Sequence, residues 1–199
     1  MKKLFYEHSY DMVKMFLNQF ATSLFGFVLA LASVRAGNTA LRLGTSIAAI
    51  VFYLFLLYTM TWPIGFRDRT PVLHGKIKAT PWKGFAIAFF ANAVNYVCAI
   101  MIMLASLLDV PFLSSAGGFC HAATYLLEGM YTGVLMIHVG DAALNSYWFM
   151  YFLITVPAIL TSGIAYLMGF HDRKCTKLFD PVYPESDREP KKKREHRDD

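Results

Sequence analysis

The chain has 199 residues, of which 56% are hydrophobic and 17% are charged, whereas a soluble domain carries about 25% charged residues. Residues 84–169 contain no Lys or Arg, and their acids are Asp109, Glu128 and Asp141. Such a stretch would leave a soluble fold poorly solvated, but it is normal for chain surrounded by lipid. The composition therefore excludes an ordinary soluble domain and predicts an all-α, polytopic transmembrane helix bundle.

The net charge of +5 does not indicate nucleic-acid binding, because the basic residues cluster beside apolar segments as juxtamembrane residues do. We expect the lipid bilayer as the main partner, with other membrane subunits or a second copy of the chain as further partners, and no nucleic acid.

Four apolar segments, each long enough to cross a bilayer, predict full spans at residues 12–34, 43–64, 84–108 and 147–169. A polar segment of mixed charge, residues 1–11, precedes them and predicts an interfacial helix. Residues 35–42 and 65–83 are predicted loops. Three regions result: the interfacial segment 1–11, the transmembrane bundle 12–169, and a basic, disordered cytoplasmic tail at 170–199.

The segment 112–139 is apolar but rich in small and polar residues, including Gly117, Gly118, Gly129 and Gly133. It is long enough to span. It is predicted either to re-enter the membrane as a broken helix beside a cavity or to form a fifth crossing.

The distribution of basic residues favours an even number of crossings. With four crossings and a cytoplasmic N-terminus, every Lys and Arg except Arg35 and Arg42 lies on the cytoplasmic side, as the positive-inside rule requires. A repeated G-F-x-D-R sequence at residues 65–69 and 169–173 agrees, because it places two helix exits on the same face. The expected location is the plasma membrane, with both termini cytoplasmic.

The most informative polar residues lie near position 125. Residues seven apart on a helix lie within about 20° of one another, so His121 and Glu128 share a face with Tyr125 and Thr132. A carboxylate at a helix centre in a membrane costs roughly 2.5–3.5 kcal/mol, and such residues are functional by default. The alternative is a neutral acid that holds helices together through hydrogen bonds.

Other predicted spans also carry polar faces that can line a shared interior. Asn92, Asn95 and Tyr96 share a face in the third span, and they complete the predicted ligand or proton path of Glu128, His121, Tyr125 and Thr132. In the first span Asn18 and Thr22 share a face, with Gln19 and Ser23 beside them.

Catalytic signatures such as H-E-x-x-H, G-x-S-x-G and the P-loop are absent from the sequence. We expect no catalytic residue, no metal site and no cofactor. A small transporter, or the membrane subunit of one, is the favoured interpretation, handling a small polar solute or protons. The alternative is a non-catalytic assembly, anchoring or regulatory subunit; a membrane-embedded hydrolase or transferase is the least favoured.

Overall fold

The computed structural model describes residues 2–108 and 110–173, apart from the side chains of residues 2–5 and 7. The elements are α1 (Lys2–Arg35), α2 (Thr39–Leu73), α3 (Lys83–Ala91), α4 (Ala93–Leu107), α5 (Pro111–Leu127), α6 (Thr132–Leu135), β1 (His138–Val139), β2 (Ala142–Ala143), α7 (Met150–Leu153) and α8 (Val156–Phe170). Single 3₁₀ turns lie at Gly129–Tyr131 and Leu144–Ser146. The tail predicted at 170–199 lies outside the described residues from position 174 onward, and Asp109 does also.

The described residues confirm the helical class. Three segments, His8–Arg35, Thr39–Leu73 and Met150–Phe170, are long and apolar enough to cross a membrane. A fourth crossing is added only if the bent pair α3 and α4 is counted as one span. Several apolar helices are thus compatible with a membrane protein, but four full spans plus a re-entrant or fifth spanning helix are not confirmed.

The first two helices are longer than predicted. Residues 2–11 continue directly into α1, so no separate interfacial helix precedes it. The turn shortens to residues 36–38 because the Asn38 side chain caps α2 by accepting from the Leu41 amide at 3.0 Å. The loop predicted at residues 65–83 is shorter than expected and covers residues 74–82, because α2 continues to Leu73 through Pro63 and Pro71.

The predicted third span is interrupted at Asn92, where α3 and α4 meet at 60°. The side chain of Asn92 turns back and donates from Nδ2 to the Ala88 carbonyl oxygen at 2.9 Å. A side chain that bonds a backbone carbonyl oxygen competes with the regular hydrogen bonds of the helix, and helices often bend where this occurs.

The segment 112–139 reverses direction at Glu128. α5 packs against α4 in an antiparallel hairpin, and its C-terminus reaches Gln19 and Asn95. The chain then passes Ser23, and Gly133 contacts the Arg42 carbonyl oxygen near the start of α2. Because α1 runs towards that same end of the bundle, the segment enters and leaves at one end. This geometry is compatible with the re-entrant alternative.

The tightest helix contact joins α2 and α8 at the repeated G-F-x-D-R sequence. A Cβ on Gly65 would collide with the Tyr166 carbonyl oxygen, and one on Gly169 would collide with that of Trp62. The contact is reciprocal, because Trp62 and Tyr166 each lie three residues before a repeat glycine. The repeat therefore forms an approximately two-fold crossing of two helices that end on the same side.

Polar contacts around this crossing follow the same pattern. Tyr166 Oη donates to the Asp68 carboxylate at 2.8 Å, and Trp62 Nε1 donates to the Arg173 carbonyl oxygen at 2.7 Å. Each aromatic side chain thus reaches the end of the other repeat. Ion pairs Arg69–Asp172 (3.1 Å) and Lys83–Asp68 (2.7 Å) fix the helix ends.

Substituting either repeat glycine tests the crossing. Gly65→Ala and Gly169→Ala place a methyl group against backbone, which cannot rotate away, so we expect each to destabilise the protein by about 1–3 kcal/mol. Gly44→Ala in α2 is the control, because its Cβ meets open space. Thermal unfolding of the detergent-purified protein measures the difference. Equal melting temperatures for all three variants would contradict the crossing.

Candidate functional site

Glu128 lies at the centre of the bundle with 3% of its surface exposed. Its Oε1 accepts two hydrogen bonds, from Gln19 Nε2 at 2.8 Å and from Asn95 Nδ2 at 2.7 Å. Gln19 also donates to the Leu127 carbonyl oxygen at 3.2 Å. One carboxyl oxygen therefore ties α1, α4 and the end of α5 together.

The backbone around Glu128 leaves the helix, and its polar groups find side-chain partners. Glu128 ends α5 with φ −127° and ψ 25°. The Gly129 amide then donates to Ser23 Oγ of α1, and Ser46 Oγ of α2 donates to the Met130 carbonyl oxygen. A non-helical backbone is tolerated at membrane depth only where protein or water satisfies it. Here the hydroxyl groups of Ser23 and Ser46 supply the hydrogen bonds that this backbone needs.

The second helix break faces the first. Asn95 Nδ2, which donates to Glu128, also donates to Asn92 Oδ1 at 2.9 Å. The two asparagines thereby connect the bend between α3 and α4 to the carboxyl group. Two interrupted helices meet at a single buried acid.

Among the side chains that the structure describes, no Lys, Arg or His forms an ion pair with Glu128. Its surroundings are the two amides and the nearby rings of Tyr53 and Tyr131, both buried. A buried charge without a partner is costly. An ionised Glu128 would therefore have no counter-charge among the side chains that the structure describes.

Some buried polar atoms close to this centre make no hydrogen bond within the described part of the chain. They are Asn95 Oδ1, Tyr131 Oη and Thr132 Oγ1. Buried polar atoms in native proteins are almost always paired with protein or ordered water.

A second polar cluster lies nearer to the start of α5. His121 Nε2 and Tyr151 Oη are 2.6 Å apart, and Tyr151 Oη donates to the Asn145 carbonyl oxygen at 3.0 Å. Asn145 Nδ2 in turn donates to Tyr125 Oη at 3.0 Å. The cluster joins α5 to α7 and to the turn Leu144–Ser146.

The structure therefore divides the predicted ligand or proton path. Glu128, Asn92 and Asn95 come together, whereas His121 and Tyr125 belong to the second cluster. Thr132 is buried beyond the helix break, so the expectation of one continuous polar stripe is wrong: α5 ends at Leu127. Tyr96 receives a hydrogen bond from Thr155 at 3.3 Å. It is close enough to Glu128 to interact with it electrostatically, although the two side chains share no hydrogen bond.

Sequence reasoning gave too little weight to Gln19 and Ser23, which contact the site in place of Asn18 and Thr22. Asn18 instead donates to Met60 Sδ at 2.9 Å. The spacing of Gln19, Ser23 and Gly26 at i, i+4 and i+7 was the available signal, because such a row forms one helix face. Ser46, Tyr53, Tyr131, Asn145 and Tyr151 have no comparable pattern in sequence.

Comparisons with protein-family models, with curated proteins and with solved structures find no match to this chain.

The role of the amides is tested by removing them. Asn95→Leu deletes the donor shared by Glu128 and Asn92, so we expect a loss of about 1–3 kcal/mol of stability. Glu128→Gln retains an oxygen acceptor in the same place and should cost less than Glu128→Leu, which removes it. Thermal unfolding in detergent measures the order, and equal losses for Glu128→Gln and Glu128→Leu would show that Oε1 does not hold the helices.

Proposed function

We propose that the protein is a small membrane transporter, or the membrane subunit of one, in which Glu128 binds a proton or a cation. The observation that carries this proposal is the meeting of two interrupted helices at one buried carboxyl group without a counter-charge. Transporter binding sites are typically formed near the bilayer midplane by discontinuous helices. Ionisable residues inside a membrane most often mark ion or substrate pathways.

The proposed topology has four crossings: α1, α2, the bent pair α3 and α4, and α7 with α8. The segment from α5 to α6 enters from the non-cytoplasmic side and returns there. This arrangement is supported by the parallel crossing of α2 and α8 and by the reversal at Glu128. It places both termini in the cytoplasm, and the plasma membrane is the proposed location.

Cysteine labelling tests this topology. In a cysteine-free background, His74→Cys lies after α2 and Asp141→Cys lies in the exposed hairpin turn. We expect a membrane-impermeant maleimide to label position 141 from outside intact cells and to label position 74 only after the cells are opened. Labelling of both positions from one side would contradict four crossings.

The cation requirement of Glu128 predicts a specific response of stability to pH and salt. At alkaline pH the buried carboxyl group loses its proton and an uncompensated charge remains, so the wild-type melting temperature should fall and a bound cation should restore it. Thermal unfolding is compared in choline, sodium, potassium and lithium chloride at acidic and alkaline pH. Glu128→Gln, which carries no charge, should lose the response.

The control for this experiment is Asp141→Asn, which removes an exposed acid far from the centre. It should respond to pH and salt as the wild type does. If Glu128→Gln retains the full wild-type response, Glu128 is not the proton- or cation-binding residue.

One observation favours the alternative of a non-catalytic assembly, anchoring or regulatory subunit. Glu128 Oε1 is bonded by two neutral amides, which is also how a protonated acid holds helices together. That alternative predicts no cation response at any pH, together with a loss of stability in Glu128→Leu. The same set of melting curves therefore distinguishes this alternative from a cation-binding Glu128.

A further inference from the structure

A cleft of about 290 Å³ lies between α4, α5 and the chain that follows β2. Its lining consists of Ile102, Ala105, Ser106, Gly117, Gly118, His121, Asn145, Ser146 and Trp148. Its volume lies just below the range of about 300–1,000 Å³ typical of ligand pockets, so only a small ligand would fit. In the proposed topology it lies on the non-cytoplasmic side of Glu128.

The polar groups of the cleft are held in fixed positions. Tyr151 Oη bonds both the Asn145 carbonyl oxygen and His121 Nε2, which leaves the second ring nitrogen of His121, Nδ1, for a further hydrogen bond. The His121 ring also contacts the Tyr125 and Tyr151 rings, with centroids 5.5 and 5.3 Å away. Fixed polar groups of this kind give a pocket its specificity.

The side-chain amide of Asn145 is fixed through its nitrogen, which donates to Tyr125, so that Oδ1 remains an acceptor. Ser106 and Ser146 add hydroxyl groups that can donate or accept. Trp148 contributes an aromatic surface and makes edge-on contacts with Phe149 and Phe152. The cleft thus combines hydrogen-bonding groups with one flat apolar wall.

The lining contains no Lys, Arg, Asp or Glu within the residues that the structure describes. A charged ligand would lose its hydration there without gaining a counter-charge. An uncharged ligand would lose little and could use the imidazole, the amide and the hydroxyl groups.

We infer that this cleft binds a small, uncharged, planar solute that carries adjacent hydrogen-bond donors and acceptors. The inference deepens the proposed function by naming the class of solute, and it rests on that function. His121 and Glu128 lie seven residues, or about 10 Å, apart along α5 and its end. A solute in the cleft is therefore separated from the acid by only about two helical turns.

Gly118 provides a sharp test, because it lines the cleft and its Cβ would meet open space. Gly118→Leu should fill the cleft without disturbing the packing of α5. Gly44→Leu is the matched control, since Gly44 is also an exposed helical glycine with open space around its Cβ. Gly117 is unsuitable, because its Cβ would collide with that of Ala105.

The probes are two pairs of similar shape: nicotinamide with nicotinate, and uracil with orotate. Binding to the full-length protein in detergent is measured by isothermal titration calorimetry. We expect at least one neutral probe to bind and its anionic counterpart to bind at least tenfold more weakly. Gly118→Leu should weaken the neutral probe at least tenfold, and Gly44→Leu should leave its affinity unchanged.

Three results would overturn the inference: no binding of either neutral probe, equal binding of a neutral and an anionic partner, or unchanged binding to Gly118→Leu. The proposed role of Glu128 is tested separately, because Gly118→Leu should keep the pH and cation response of the melting temperature. Loss of probe binding with that response intact supports the cleft as a distinct site. Loss of the pH and cation response in Glu128→Gln tests only the proposed role of Glu128 and does not test the cleft.

Discussion

The buried carboxyl group of Glu128 is the constraint on which the rest of the structure depends. An acid in an apolar bundle must be paired, protonated or compensated by a cation, and each solution requires neighbours that can supply hydrogen bonds. Gln19 and Asn95 do so from α1 and α4. Their amides bring these helices to one point, and the helix carrying the acid ends there. Glu128 and its amide partners are therefore polar groups set among the buried apolar side chains of the core.

The glycine crossing and the two helix breaks lie in different parts of the fold. The crossing of α2 and α8 is closely packed through Gly65 and Gly169 and is tied by Arg69–Asp172 and Lys83–Asp68 at one end. The segment from α5 to α6 packs at the other end and carries both the acid and the His121 cluster. A firmly packed half and an interrupted half in one small bundle suit a protein whose interrupted half binds a ligand.

Much of this arrangement follows from the sequence, and the failures have physical causes. The helical class follows from apolar length, and the cost of a buried acid drew attention to Glu128, which the structure buries. The repeat at 65–69 and 169–173 predicted that two helices run towards one face, although its first copy lies inside α2 and not at a helix end. Helix continuity could not be predicted, because Asn92 and Glu128 interrupt their helices through tertiary partners. The stripe from His121 to Thr132 assumed an unbroken helix and so joined two clusters that the fold separates. Gln19 becomes important only once α1 meets the end of α5.

The central claim is that Glu128 binds an exchangeable proton or, in its place, a cation. Infrared difference spectroscopy tests this claim most directly. Spectra of the wild type at acidic minus alkaline pH should show the carbonyl band of a protonated carboxylic acid in an apolar environment. That band should be absent from Glu128→Gln, and at alkaline pH a bound cation should shift the carboxylate bands of the wild type only. An identical difference spectrum for wild type and Glu128→Gln would contradict the account.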